Sequence, residues 1–233
     1  MGENLVTITS NMLDEAASDL AGWVENMKHL SNNGIIVVDG GSTDGTEQIL
    51  KDLGIIVIVD DIIQREGYGP ARNHLRQLTA EFFPDSEWMC FFDADERILE
   101  EDWHTFRYLK DYVRPEFNDV IAFPRIDWFD REMTKSNNDI HVTPDYQARM
   151  TRMDSKLAYI RKLHEQIVNS KGFYSKLTNP KIQHFNRCAG KEKRQFLGKV
   201  CAMLHMADTE HGESYPMHKK EQHYRDLLKK EGL

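Results

Sequence analysis

The chain has 233 residues, with 30 basic against 38 acidic side chains and a formal net charge of −8. That length holds one large α/β domain or two small ones, and the negative balance argues mildly against a surface built to hold nucleic acid. A hydrophobic share of 40% beside 29% charged residues is that of a folded globular chain and excludes disordered and fibrous classes.

Strand-like and helix-like segments alternate from the start. Residues 4–9 are short and β-branched, a first strand. Residues 14–30 carry Ala16, Leu20, Trp23, Val24, Met27 and Leu30 at helical spacing. Residues 35–38 read as a buried strand. Residues 44–53 follow Ser-Thr-Asp-Gly capping chemistry and set Ile49, Leu50 and Leu53 on one helical face. A second buried strand is expected at 55–59, a helix at 71–83 behind Gly67, Gly69 and Pro70, and a further strand at 88–92. This alternation predicts a parallel, doubly wound sheet. Beyond it the pattern loosens: a helix over 100–112, a strand over 119–123, then a long polar and aromatic loop over 124–145. Short strands at 146–152, 156–161 and 164–168, a surface helix over 190–206 and a polar helical tail complete the reading.

Cys90, Cys188 and Cys201 form no CxxC pair, which reads as reduced thiols in a cytosolic protein, with Cys90 a small apolar core residue. The N-terminus carries no signal-peptide pattern, and no window approaches the roughly 20 apolar residues of a membrane span.

Two stretches concentrate the chemistry. Residues 36–46 read IVVDGGSTDGT and residues 91–97 read FFDADER. Each is an apolar run that ends in carboxylates. Asp39 closes a strand, and the Gly40–Gly41 turn lets a ligand approach the backbone, with Ser42, Asp44 and Thr46 following. The string is neither a Walker A loop nor a GxGxxG fingerprint. Asp93, Asp95 and Glu96 emerge from an apolar run and repel one another unless a cation or arginines offset them. Oxygen ligands of this kind suit Mg²⁺ or Mn²⁺ better than zinc.

Four weaker strings follow. Gly67–Asn73 opens a helix with Arg72 in its first turn, a cation set against the helix dipole that calls for an anion such as a diphosphate or Asp93. Pro144–Arg149 and His164-Glu165 offer an arginine and a base, although a lone His-Glu pair is more often surface decoration. His184 lies among apolar neighbours, the usual setting of a core histidine. His205, His211, His218 and His223 read as polar surface, and Trp128, Phe129, Tyr146 and Tyr174 as platforms for a sugar or a base.

In this order the strings resemble the inverting family 2 glycosyltransferases with the GT-A fold, nearest the bacterial lipopolysaccharide-core glucosyltransferase branch. The matching segments are Asp39–Thr46, Gly69–Asn73, Asp93–Arg97, Pro144–Arg149, His164-Glu165 and His184-Phe185. The resemblance implies a GT-A-like, mostly parallel doubly wound sheet with an irregular C-terminal acceptor region. Residues 1–98 would be the nucleotide-sugar half of a single domain, 99–205 the acceptor half and 206–233 the tail. It implies metal-dependent, inverting transfer from a nucleoside-diphosphate sugar, with UDP-sugars first, to a hydroxyl of a saccharide or lipid-linked saccharide.

The same resemblance assigns roles. Asp39 would contact the base, with Gly40 and Ser42 beside it, and Asp93 the ribose or Arg72. Asp95 would be the main ligand of Mn²⁺ or Mg²⁺, with Asp93 and His184 as further ligands. Arg72 and Arg149 would hold the diphosphate. Glu165 would be the general base, with Asp130 and Glu96 as rivals. Family members often carry an Asn-Glu pair after the first strand; here the segment reads SNMLDEA, so Asn11, Asp14 and Glu15 share that role. The expected setting is the cytoplasm, peripheral at the inner membrane face for a lipid-linked acceptor. Two other enzyme readings stay open: the same chemistry on a modified base of viral DNA, and a nucleotidyltransferase on a similar sheet. A non-catalytic binding module is disfavoured, because both Asp93 and Asp95 are present.

Overall fold

The computed structural model describes residues 5–112, 118–136, 144–171, 174–185, 195, 198–205 and 229. In chain order, β1 (Val6–Met12) leads to α1 (Leu20–Leu30), β2 (Gly34–Asp39), α2 (Thr46–Asp52) and β3 (Ile56–Val59). Then come α3 (Ile62–Glu66), α4 (Tyr68–Phe82), β4 (Trp88–Phe91), β5 (Glu96–Ile98) and α5 (Glu100–Tyr112). The rest is mostly strand: β6 (Val120–Asp127), β7 (Asp145–Arg152), β8 (Ala158–Ile160), β9 (Gln166–Val168), β10 (Ser175–Lys176) and β11 (Ile182–His184).

One nine-stranded sheet runs β3-β2-β1-β4-β7-β6-β11-β5, with β10 beside β6, while β8 and β9 form a separate ribbon. The first four strands in that order are parallel. From β7 onward the sheet is mixed: β7 runs antiparallel to both β4 and β6, β11 runs parallel to β6, and β5 antiparallel to β11. The parallel, doubly wound expectation drawn from the first 95 residues holds there, and the looser remainder adds the mixed strands. Strands drawn from both halves share the one sheet.

Two apolar layers cover its faces. Trp23, Val24 and Met27 of α1 and Phe106 of α5 pack on Ile8, Val37, Cys90 and Phe123. Ala71, Leu75 and Leu78 of α4 pack on Ile36, Val38, Met89 and Phe91, together with Tyr159 and Leu157 beside the ribbon. The period-two alternation of β1, β2 and β4 puts successive side chains into opposite layers.

Several boundaries differ from expectation. Helix α1 starts at Leu20, where the Asp19 side chain accepts from the Gly22 N–H, rather than at residue 14. The segment before it is held instead by long-range bonds: the N–H groups of Asp14 and Glu15 donate to Ser42 Oγ and Thr46 Oγ1 at 2.8 and 2.7 Å. Strand β3 is an edge strand and half-exposed, not buried. Helix α4 starts at Tyr68, which puts Arg72 one turn inside it, away from the terminal N–H groups. Ile49 is exposed on α2. The expected loop over 124–145 begins as the second half of β6, and Trp128 bridges to Ser136. His205 is buried, because Ala202, Leu204 and His205 line the inner face of the helix at 198–205. His211, His218, His223, Cys188 and, apart from residue 229, the tail lie outside the described residues. No helix among the described residues is long and apolar enough to cross a membrane.

Candidate active site

Asp39 closes β2 and Asp93 follows β4, with β1 between them in parallel register. Adjacent strands lie about 4.8 Å apart, so the two acidic ends sit roughly 10 Å from each other along one rim. Asp39 is itself fully buried: its carboxylate accepts from the N–H groups of Gly41 and Ser42 at 3.1 and 2.8 Å and from the Ser42 hydroxyl at 2.5 Å. Gly40 is packed as well, its carbonyl accepting from Gln64 Nε2 at 2.8 Å. Asp14 Oδ1 accepts from Thr43 N–H, and Glu15 Oε2 accepts from the Ser18 hydroxyl. These residues knit two loops into a rigid rim. Asn11 is different: both polar atoms of its side chain are buried without a hydrogen-bond partner.

The acids after β4 meet arginines from other elements. Arg149 of β7 reaches Asp93 Oδ2 at 2.7 Å and Glu96 Oε1 at 2.5 Å through the same nitrogen, Nη2. Glu96 is wholly buried, and its other oxygen accepts from the Asp93 N–H. Burying a charge costs several kcal/mol unless it is well paired, so the three groups are interdependent. Arg72 of α4 stacks 3.0 Å over the Phe91 ring centroid. Its Nε and Nη2 reach Glu165 Oε1 at 3.1 and 3.0 Å, and Nη2 lies 3.9 Å from Asp93 Oδ1. Arg72 Nη1 and Arg149 Nε are buried with no acceptor, which fits an anion such as a diphosphate.

Beyond β7, His184 of β11 sits between two carboxylates. Its Nδ1 lies 2.5 Å from Asp127 Oδ1 and its Nε2 lies 3.6 Å from Asp95 Oδ1. A ring nitrogen bonded to a carboxylate fixes the ring and aims the other nitrogen outward, as metal-ligating histidines are held. Arg125 pairs with Asp145 at 2.7 Å and lies 3.5 Å from Asp127. In all, three arginines and one histidine face six carboxylates, an excess of negative charge.

Two carboxyls and a histidine in the cluster are shifted, one down and two up. Burial pushes the Asp93 carboxyl up, but Arg149 and Arg72 outweigh it and hold the group below the usual range. Burial pushes Asp95 up to about 6, with His184 opposing and Asp93 and Glu96 adding to the rise. Burial pulls His184 down, yet Asp127 and Asp95 raise it overall. Among the described residues no set of three His, Cys, Asp or Glu side chains is gathered to hold a metal. Asp95 and His184 could together offer two ligands, since their separation of 3.6 Å is near the roughly 3 Å of two ligands set at right angles about one ion. Mg²⁺-type ions commonly take one or two protein ligands and complete the shell with phosphate and water.

The three base candidates part company. Glu165 lines a cleft of about 710 Å³ together with Arg72, Arg149, Tyr146, Tyr159 and Tyr174. A cleft of that size is in the range for a small ligand. Glu96 is sealed behind Arg149, so it cannot reach an acceptor hydroxyl. Asp130 accepts from the Thr134 N–H and hydroxyl at 2.8 and 2.9 Å and is held as a turn residue, away from the cleft lining.

The model of the glycosyl transferase family 2 matches residues 12–173, which contain Asp39, the acids after β4, Arg72, Arg125, Arg149 and Glu165, while Asn11 and His184 lie outside the match. The chain belongs to that family. Among solved structures the fold is similar to S. aureus TarS, at 16% identity and a TM-score of 0.53 over 96% of this chain and 42% of that one. A TarS 1–349 structure in complex with UDP aligns at 14% identity and a TM-score of 0.51, over 96% of this chain and 69% of that one. Mannosyl-3-phosphoglycerate synthase from Rubrobacter xylanophilus aligns at 12% identity and a TM-score of 0.54, over 92% and 77%. The chain thus spans less than half the length of the longer TarS structure. No curated protein gives a significant match.

Within this family 2 fold, three contributors went unread in the sequence: Arg125, Asp127 and Asp145. The first two lie two apart in Pro-Arg-Ile-Asp and so share one face of β6, a signal that a strand reading through residue 127 would have given. Asp145 lies within the Pro144–Arg149 string, and nothing local marks it as the partner of Arg125.

Proposed function

We propose that the chain transfers a sugar from a nucleoside-diphosphate sugar, UDP-linked first, to an acceptor hydroxyl with inversion. The observation that carries this reading is the placement of Arg72, which lies 3.9 Å from Asp93 on the acidic rim and 3.0 Å from Glu165 in the cleft. One cation thus links the place where a diphosphate would lodge to the carboxylate that would face an acceptor. UDP is preferred as the nucleotide because a structure of similar fold, TarS, binds it.

The chain's own groups have definite tasks. Asn11 offers an unpartnered amide on the rim for the base or ribose, while Asp39 holds the Asp39–Thr46 turn that forms the floor. Arg72 Nη1 and Arg149 Nε donate to the diphosphate. Asp95 and His184 would hold Mn²⁺ or Mg²⁺, which when bound neutralises charge on the departing diphosphate. Both Arg72 bonds fall on Glu165 Oε1. That leaves Oε2 to take the acceptor proton as the acceptor oxygen attacks the anomeric carbon. The bond to the diphosphate then breaks on the opposite face, and nucleoside diphosphate leaves.

The acceptor is a saccharide or lipid-linked saccharide of the kind the lipopolysaccharide-core branch uses; Tyr146 and Tyr174 line the cleft as stacking surfaces. The net charge of −8 disfavours a DNA acceptor. A nucleotidyltransferase would release pyrophosphate instead. The test is a panel of nucleotide sugars with Mn²⁺, read as binding and slow donor hydrolysis. At least one donor should bind and release nucleoside diphosphate; no binding across the panel rejects the reading. Glu165→Gln should then lower kcat about 10²- to 10⁴-fold and leave donor affinity unchanged. Equal loss of both would make Glu165 structural.

A further inference from the structure

Helix α4 and the β8–β9 ribbon are joined more tightly than their sequence separation requires. Asn73, next to Arg72, pairs twice with one residue of the ribbon: Nδ2 donates to the Tyr159 carbonyl at 2.7 Å and Oδ1 accepts from the Tyr159 N–H at 2.8 Å. This is the paired bond that a neighbouring strand residue would make, and it falls on the edge of β8 opposite β9. The same edge continues at the helix start, where the N–H groups of Tyr68 and Gly69 donate to the carbonyls of Lys162 and Arg161 at 2.8 and 3.0 Å.

The glycines permit the approach. Gly67 has φ +97°, and a Cβ there would stand 2.6 Å from Lys162 Cα. At Gly69 a Cβ would collide with the Arg161 carbonyl. The ribbon turn that follows is strained: Arg161 and His164, neither of them glycine, hold φ of 75° and 55°. Such conformations persist only where their surroundings hold them. Glu165 comes directly after.

We propose that Asn73 is the positioning residue of the carboxylate in the cleft: by fastening Tyr159 to α4 it fixes the strained turn, and so sets Glu165 against Arg72. The inference rests on Glu165 being the general base. An amide alone supplies both a donor and an acceptor at this length. Aspartate keeps only the acceptor, glutamine is one methylene too long, and alanine leaves both Tyr159 groups without partners.

The test uses the full chain with UDP and the donor found by the panel. Asn73→Ala should lower kcat about 10- to 100-fold, with UDP affinity within about twofold of wild type. Asn73→Asp should fall between the two; if the alanine variant melts below the assay temperature, it carries the same expectation. In the Glu165→Gln background, Asn73→Ala should cost nothing further, because both changes remove one function. Wild-type kcat in Asn73→Ala, a multiplicative loss in the double variant, or a matching loss of UDP binding each overturns the inference. Full activity in Glu165→Gln alone would instead reject the base assignment, whatever Asn73 does.

Discussion

The parallel and mixed sides of the sheet make different contributions to the site. On the parallel side, carboxylates appear where strands stop: Asp39 at the end of β2, and Asp93 and Asp95 after β4. On the mixed side, cations appear along strand faces: Arg125 on β6, Arg149 on β7 and His184 on β11. Parallel strands all end at one edge, so they can gather like charges that would repel anywhere else. Of the three strands that carry the cations, only β7 runs the other way and presents Arg149 from mid-strand; β6 and β11 run with β4 and bring Arg125 and His184 from near their ends. The seam where β4 pairs with β7 brings the two sets together, and Arg149 lies just past the last paired residues, Cys90 and Met150. Neither side is electrostatically sound without the other.

Removing the bridge across the seam should have the largest effect. Arg149→Met leaves Asp93 and Glu96 without their shared counter-charge, and breaking a buried pair in this way costs about 3–5 kcal/mol. Urea unfolding should show that loss; unchanged stability would mean the two sides are independent.

Asp95→Asn should separate function from fold. Burial raises the folded pKa from 3.8 to about 6, so the folded chain holds a proton that the unfolded chain releases between those values. The charged form therefore lowers stability above about pH 6 and has no effect below about pH 4. In metal-free protein the variant should melt higher at pH 7.5 and no differently at pH 3.5. The gain should be about 1 kcal/mol, since the side chain is 32% exposed and partly screened. Metal-dependent turnover should fall about 10³-fold, several kcal/mol of lost charge stabilisation. A lower melting point at pH 7.5 would contradict the burial argument.

The smallest expected effect is on the parallel side alone. Asn11→Ala should weaken donor binding about 5- to 10-fold, one lost hydrogen bond of about 1 kcal/mol, with kcat and stability nearly unchanged. Unaltered donor binding would assign the rim's recognition to another group.

How much of this was legible follows from the range of each interaction. The acidic cluster could be read because residues 88–92 run straight into Asp93 and Asp95. Arg72 could be read because a cation near a helix start is locally odd. Asp39 was legible as the end of a strand; its burial in its own turn was not, since that turn is held by residue 14 bonding to Ser42 and Thr43 and residue 15 bonding to Thr46. The start of α1 was misjudged for the same reason. His184 read as a core histidine, and it is buried, but Asp127 lies 57 residues away and Asp95 further still. Strands as short as β10 and β11 carry too few residues to show a period. Their existence depends on the partner β6.

The most direct measurement is calorimetric titration of UDP into wild type and Asp95→Asn, each with and without Mn²⁺. The seam account requires Mn²⁺ to tighten UDP binding at least tenfold in wild type and to leave the variant unaffected. Equal tightening in both, or none in either, would contradict a cation held by Asp95 and His184 at the junction of the two sides.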